Sequence, residues 1–96
     1  MSLFSVIEFD KDAGRIIFSI PEFDFDSFDT IGKQLVSAMD AKITEQQMDA
    51  DLHSWLIDVE GAQFMLRAEH YSNSVWLEAL ARTDHQEELA FIAGLF

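Results

Sequence analysis

The feature that most constrains the fold is a run of three strand-like stretches in the second half of the chain. Residues 52–59, 62–71 and 75–81 are each rich in apolar side chains and each predict a β-strand, in which every second side chain points to the same face. Two-residue connections at 60–61 and 72–73 separate the three stretches. Because such short turns join antiparallel neighbours, the sequence predicts a three-stranded meander.

The two turns predict two registers, and these registers agree on which face is apolar. The first turn places Ile57 opposite Phe64, and the second places Leu66 opposite Ala79. A slip by one residue would move every side chain to the other face, so the agreement favours both turns. The shared apolar face consists of Trp55, Ile57, Val59, Phe64, Leu66, Ala68, Val75, Leu77 and Ala79.

The remaining elements are a hairpin and two helices. Residues 3–9 and 15–20 predict the hairpin, since both are rich in β-branched and aromatic side chains. Apolar residues spaced by three and four predict a helix over 27–41, with Asp24 or Asp26 as its N-cap. A capping-box pattern at 83–86 predicts the start of a C-terminal helix. Their apolar positions are Phe28, Ile31, Gly32, Leu35, Val36 and Met39 in the first helix, and Leu89, Ile92, Ala93 and Phe96 in the second.

These elements predict one α+β domain over residues 1–96, because 96 residues fit a single hydrophobic core. The predicted order is β-β-α-β-β-β-α, with residues 44–51 as a polar connection or short helical turn. Short turns imply antiparallel pairing. We therefore expect a five-stranded antiparallel sheet with two helices packed on one face, which leaves the other face open.

The charge of the chain excludes several classes of partner. Eighteen Asp and Glu against six Lys and Arg give a net charge of −12, which repels nucleic-acid phosphates and anionic lipid head groups. We expect no nucleic acid and no membrane as partner, but a second copy of the chain or a basic or amphipathic protein. The absence of cysteine excludes disulfides and thiol chemistry. Without a signal-peptide pattern or a long apolar run, a cytoplasmic location is expected.

The predicted open face carries the types of residue that are enriched in protein interfaces. Trp, Tyr, Met and Arg lie there together, and Arg67 is predicted opposite Glu78 as a cross-strand ion pair. The alternatives are that these are scattered surface residues, or that residues 44–51 cover them. The predicted interaction face comprises Leu56, Met65, Arg67, Tyr71, Trp76, Glu78 and Leu80.

Candidate chemistry is sparse. His53, His70 and Asp51 are predicted to meet near one end of the sheet, and they are weak candidates for a metal site because no short-spaced ligand pair accompanies them. The sequence has no nucleophile elbow, phosphate loop or dinucleotide fingerprint. We therefore expect no cofactor and no catalysis.

Three hypotheses for the function follow. The first is a non-enzymatic interaction module that forms a homodimer through the open face. The second is an acidic inhibitor or immunity-type protein that captures a basic partner, with Asp24, Asp26 and Asp29 as its densest acidic group. The third is a small ligand- or metal-binding domain near His53 and His70.

Two stretches carry a resemblance to known proteins. Residues 55–61, WLIDVEG, and residues 67–78, RAEHYSNSVWLE, resemble small acidic proteins of gammaproteobacteria that have no assigned function. The resemblance implies a bacterial cytoplasmic protein and assigns no site residue.

Overall fold

The protein, described by a computed structural model over residues 3–81 and 85–96, consists of a six-stranded sheet and two helices. The α+β class, the two helices and the antiparallel sheet are confirmed. The strands are β1 (Ser5–Asp10), β2 (Arg15–Ser19), β3 (Lys42–Asp49), β4 (Leu52–Val59), β5 (Ala62–Glu69) and β6 (Ser74–Ala79), and the helices are α1 (Phe28–Ala38) and α2 (Gln86–Gly94).

The strand order across the sheet is β1-β2-β6-β5-β4-β3, and every neighbouring pair is antiparallel. The strands from β3 to β6 form a meander in which each strand pairs with the next. β6 then pairs with β2, while the chain containing α1 links β2 to β3 at the far edge. The β2–β6 pair therefore joins the N-terminal hairpin to the meander, although the two strands are far apart in sequence.

The predictions of five strands and of the order β-β-α-β-β-β-α are wrong, because residues 44–51 lie mostly in β3. Residues 44–49 of this strand are all exposed, so the strand shows no alternation between a buried and a solvated face. Its backbone pairs with β4 along nearly its whole length. Backbone pairing with β4 therefore holds most of this strand, and Ile43 at its start packs against the core.

The core lies between the sheet and the helices. Eight of the nine side chains predicted for the buried face are buried, and Ala79 is partly buried. Ile16 and Phe18 of β2 extend the same face. The helices contribute Phe28, Leu35, Val36, Leu89 and Ile92, which are all buried, and Met39 just after α1 is buried with them.

One predicted register is confirmed and the other is wrong by two residues. In the β4–β5 hairpin Ile57 pairs with Phe64, as predicted. In the β5–β6 hairpin Leu66 pairs with Leu77 instead of Ala79, because the turn has four residues rather than two. The Asn73 side chain in this turn accepts a hydrogen bond from the Phe23 amide at 3.1 Å. A shift of two residues keeps every side chain on its predicted face.

The start of α1 also differs from prediction. The N-cap is Ser27, which makes no side-chain capping bond, so Asp24 and Asp26 are not N-caps. Asp24 instead accepts hydrogen bonds from the amides of Asp26 and Ser27 at 3.0 and 2.8 Å. The bonds with Ser27, above all the one from its backbone amide, lower the pKa of Asp24.

The two helices end or begin close to their predicted positions. α1 stops at Ala38, three residues before its predicted end, and Asp40 turns the chain with φ 55°. α2 begins at Gln86, but Thr83 and Asp84 of the predicted capping box lie outside the described residues. Neither helix in the described ranges has the length and apolar character needed to cross a bilayer.

Candidate functional site

The two helices pack on one face of the sheet, and the opposite face carries most of the predicted interaction residues side by side. Leu56 pairs with Met65, and Met65 pairs in turn with Glu78. Arg67 pairs with Trp76 on the adjacent row. These five side chains are all partly buried, and they form a continuous surface across β4, β5 and β6. We call this surface, together with Ile17 described below, the open face.

Two members of the predicted interaction face lie off the strands. Tyr71 is in the β5–β6 turn, 77% exposed, with its ring 4.8 Å from that of His70. Leu80 lies just after the end of β6 and is 57% exposed. The longer turn removes Tyr71 from β5, whereas Leu80 lies off the sheet because β6 ends at Ala79.

Sequence reasoning missed one member of the open face. Ile17 of β2 pairs with Trp76 and is partly buried. The alternation of β2 correctly predicts that Ile17 points away from the core. The pairing of β2 with β6 joins segments about sixty residues apart, and no local pattern indicates it.

A polar network ties the centre of the open face together. Arg67 Nε contacts Glu78 Oε1 as an ion pair without hydrogen-bond alignment, and the Trp76 indole donates to the same oxygen at 3.3 Å. The ion pair was predicted between directly opposite residues, but it forms diagonally, because Arg67 stands opposite Trp76. The network holds the indole in place and neutralises the central charges.

Both outer strands have irregular edges. The β1–β2 register shifts between Val6 and Glu8, and the β3–β4 register shifts between Ile43 and Glu45. At the second shift the Thr44 hydroxyl donates to the Leu56 carbonyl at 3.0 Å. Bulges on edge strands hinder the addition of further strands, so the geometry disfavours association through the sheet edges.

His53 and His70, two of the candidate metal ligands, both lie near Phe25, just before the start of α1. The Phe25 ring lies 6.1 Å from that of His53 and 6.3 Å from that of His70. His70 Nε2 is 3.8 Å from Asp51 Oδ1. His53 is only 7% exposed, and its Nε2, like His70 Nδ1, is buried without a hydrogen-bond partner among the described residues.

The arrangement does not assemble a set of metal ligands. In residues 3–81 and 85–96, no three His, Cys, Asp or Glu side chains are placed to hold one ion. The alternation of side-chain directions along the strands predicted the position of the histidines, but sequence reasoning missed Phe25. The alternation of acidic and aromatic residues at 22–26 was the available signal.

The pKa of His53 is lowered. Burial of the imidazole is the main cause, because it penalises the charged form, and the positive charge that His70 can carry acts in the same direction. Asp29 acts in the opposite direction. His53 therefore favours its neutral form, in which one ring nitrogen can accept a hydrogen bond.

This lowered pKa predicts that the free energy of unfolding falls as the pH drops below the ordinary histidine value of 6.5. Above 6.5 His53 is neutral in both states and its contribution is complete. Below 6.5 the unfolded chain binds a proton that the folded chain does not, until the lower folded pKa is reached. Urea titrations of the wild type and of His53→Leu between pH 7.5 and 5 measure this effect.

We expect the free energy of unfolding of the wild type to fall relative to that of His53→Leu as the pH decreases. Asp24 does not interfere, because its lowered pKa affects stability only below about 3.8. The falling negative charge of the surface affects both proteins alike. A difference that stays constant across this range would contradict a lowered pKa for His53.

These features define a small acidic α+β protein with a sheet face that neither described helix covers and a buried histidine beside its first helix. Residues 4–96 match the family described as proteins of unknown function, DUF3630, and the chain belongs to that family. The expected kinship with proteins of unknown function is thereby confirmed. Searches of curated proteins and of solved structures gave no match to the chain.

Proposed function

We propose that this protein is a non-enzymatic interaction module that forms a homodimer through the open face. The observation that carries the proposal is the position of both helices on the other face, so that no described element covers Leu56, Met65, Trp76 and Ile17. A Trp and a Met at the centre of a patch are typical interface anchors.

The size of the open sheet supports a dimer. Six strands about 4.8 Å apart, each about six residues long at about 3.4 Å per residue, span roughly 600 Å². A contact between two whole sheet faces, with the open face at the centre of each, buries about 1,200 Å² in total, which is the lower end of the range for specific interfaces. The irregular edges of β1 and β3 favour the face over the edges as the contact.

The charges of the face predict how the dimer responds to salt. Arg67 and Glu78 neutralise each other at its centre, while each copy carries a net charge of −12. Because like charges repel across the contact, screening should strengthen the dimer. Capture of a basic partner, the alternative function, would instead be weakened by salt.

The test replaces Trp76 by glutamate. Light scattering behind a sizing column is expected to give a dimer for the wild type and a monomer for Trp76→Glu, because the variant places an uncompensated charge at the centre of the contact. We expect the dissociation constant to rise at least about tenfold. Phe91→Glu is the matched control, since Phe91 is 63% exposed on α2, on the other side of the sheet.

Circular dichroism verifies that both variants fold. A wild type that is monomeric at about 100 μM in 0.5 M salt would refute the homodimer. So would a Trp76→Glu variant that stays dimeric, or a Phe91→Glu variant that dissociates equally.

A further inference from the structure

A groove on the helix side of the sheet has the character of a binding site. It has a volume of about 330 Å³ and lies between the start of α1 and the edge strand β3. His53 and Trp55 of β4 belong to its lining, together with Phe25, Asp26, Asp29 and Met48. The groove exists because the helix side of β3 stays exposed: Met48, which pairs with His53, is 48% exposed.

The lining contains a buried polar atom that the protein itself does not satisfy. His53 is 7% exposed, and its Nε2 has no hydrogen-bond partner within the described ranges. A buried ring nitrogen without a partner is unfavourable for the fold. His53 lines the groove, and a ligand that enters it can supply the missing hydrogen bond.

The charges of the residues that line the groove favour a cation as the ligand. Asp26 and Asp29 contribute carboxylates, and no Lys or Arg of the described residues lines the groove. Lys33 pairs with Asp29 at 3.0 Å, whereas the carboxylate of Asp26 has no ion pair with any residue that the structure describes. The amides of Asp26 and Ser27 at the start of α1 already donate to Asp24, so they are not free to bind an anion.

The aromatic rings in the lining favour an organic cation as the ligand. Phe25 and Trp55 provide aromatic surface, which attracts ammonium and guanidinium groups. In the neutral tautomer that carries its proton on Nδ1, His53 accepts a hydrogen bond at Nε2, and a quaternary ammonium without N–H groups would leave that nitrogen unsatisfied. Phe25 is 49% exposed, and an exposed ring changes rotamer readily when a ligand enters.

We propose that this groove binds a guanidinium group, which donates to the Asp26 carboxylate and to His53 Nε2 and lies against the aromatic rings of the lining. The planar guanidinium combines several N–H donors with a face that stacks on aromatic rings. The site is on the helix side of the sheet, so it does not depend on the open face or on dimerisation.

The test is a titration followed by nuclear magnetic resonance with N-acetyl-argininamide. The uncharged, nearly isosteric N-acetyl-citrullinamide is the control ligand. We expect saturable shifts at Phe25, Asp26, His53 and the Trp55 indole with the arginine compound. The dissociation constant should be on the order of 1 mM, as for a ligand of this size with ordinary efficiency.

Two variants with the same change of charge separate the site from the acidic surface in general. Asp26→Asn should weaken binding at least about fivefold, because it removes a charge-assisted hydrogen bond. Asp12→Asn, at an exposed position in the β1–β2 turn, should leave the affinity unchanged within about twofold. His53→Leu should also weaken binding, through the loss of the acceptor.

A further probe identifies the source of the guanidinium. If methylguanidinium binds as tightly as N-acetyl-argininamide, the groove recognises the head group of a small molecule. Tighter binding of the argininamide indicates an arginine side chain presented by a peptide backbone. Either result supports the proposal. The absence of saturable shifts, equal binding of the citrulline compound, or equal weakening by Asp26→Asn and Asp12→Asn would overturn it.

Discussion

Replacing Phe28 by alanine is expected to lower the free energy of unfolding by about 3–5 kcal/mol, the usual effect of removing a fully buried aromatic ring. Phe28 has no exposed surface. Its ring centroid lies 5.1 Å from that of Phe23, 4.9 Å from that of His53 and 5.0 Å from that of Trp55. The substitution therefore leaves a cavity between α1, β4 and the segment before the helix.

Urea denaturation measures this effect through the midpoint of the transition at an unchanged slope. A domain of this size is stable by about 5–15 kcal/mol in total, so the variant should fold but with a much lower midpoint. Phe91→Ala is the control, because Phe91 is 63% exposed and should change stability by no more than about 0.5 kcal/mol. Similar effects at the two positions would contradict the described core.

The meander could be predicted because its information is local. Alternation along β4 and β5 places Trp55, Ile57 and Phe64 on one face whatever the rest of the chain does. The same parity survives the error in the second turn, since a shift of two residues preserves the face of each side chain. His53 on β4 and His70 in the β5–β6 turn lie at the same end of the sheet, where the Phe25 ring centroid is 6.1 and 6.3 Å from theirs.

The parts that could not be predicted depend on distant contacts. β3 has no alternation of its own, and its pairing with the edge of the meander at β4 is what the sequence pattern does not indicate. The four-residue turn before β6 is tied to Phe23 through Asn73, a contact across fifty residues of sequence. The neighbour of Trp76 on the open face, Ile17, comes from the pairing of β2 with β6. A short stretch of sequence does not show which distant segment it will pair with.

The packing of α1 on the sheet leads to the second large effect. A Cβ atom added at Gly32 would lie 2.7 Å from Trp55 Cη2 and 2.9 Å from Phe28 Cζ. Both rings are buried, so neither can move aside without disturbing the core. Gly32→Ala is therefore expected to lower the free energy of unfolding by about 1–3 kcal/mol through overpacking, although alanine is favoured over glycine within a helix by about 1 kcal/mol.

Overpacking lowers the stability of Gly32→Ala, whereas the helix propensity of alanine raises it, so the sign of the change in stability shows which effect is larger. Gly94→Ala is the matched control, because a Cβ atom at Gly94, the last residue of α2, meets nothing within 4 Å. That variant should be unchanged or more stable by up to about 1 kcal/mol. If Gly32→Ala also stabilised the protein in urea denaturation, α1 could not lie as close to Trp55 as described.

A double-mutant cycle assigns the clash to its partner. In a Trp55→Phe background the outer ring atoms that meet the new methyl group are absent, while Phe28 remains in place. The penalty of Gly32→Ala should then fall by about 1 kcal/mol or more, a coupling of the size expected for residues in contact. No change in the penalty would mean that Phe28 alone opposes the methyl group. Gly32 would then be needed for packing within α1 and the segment before it, and not for contact between α1 and β4.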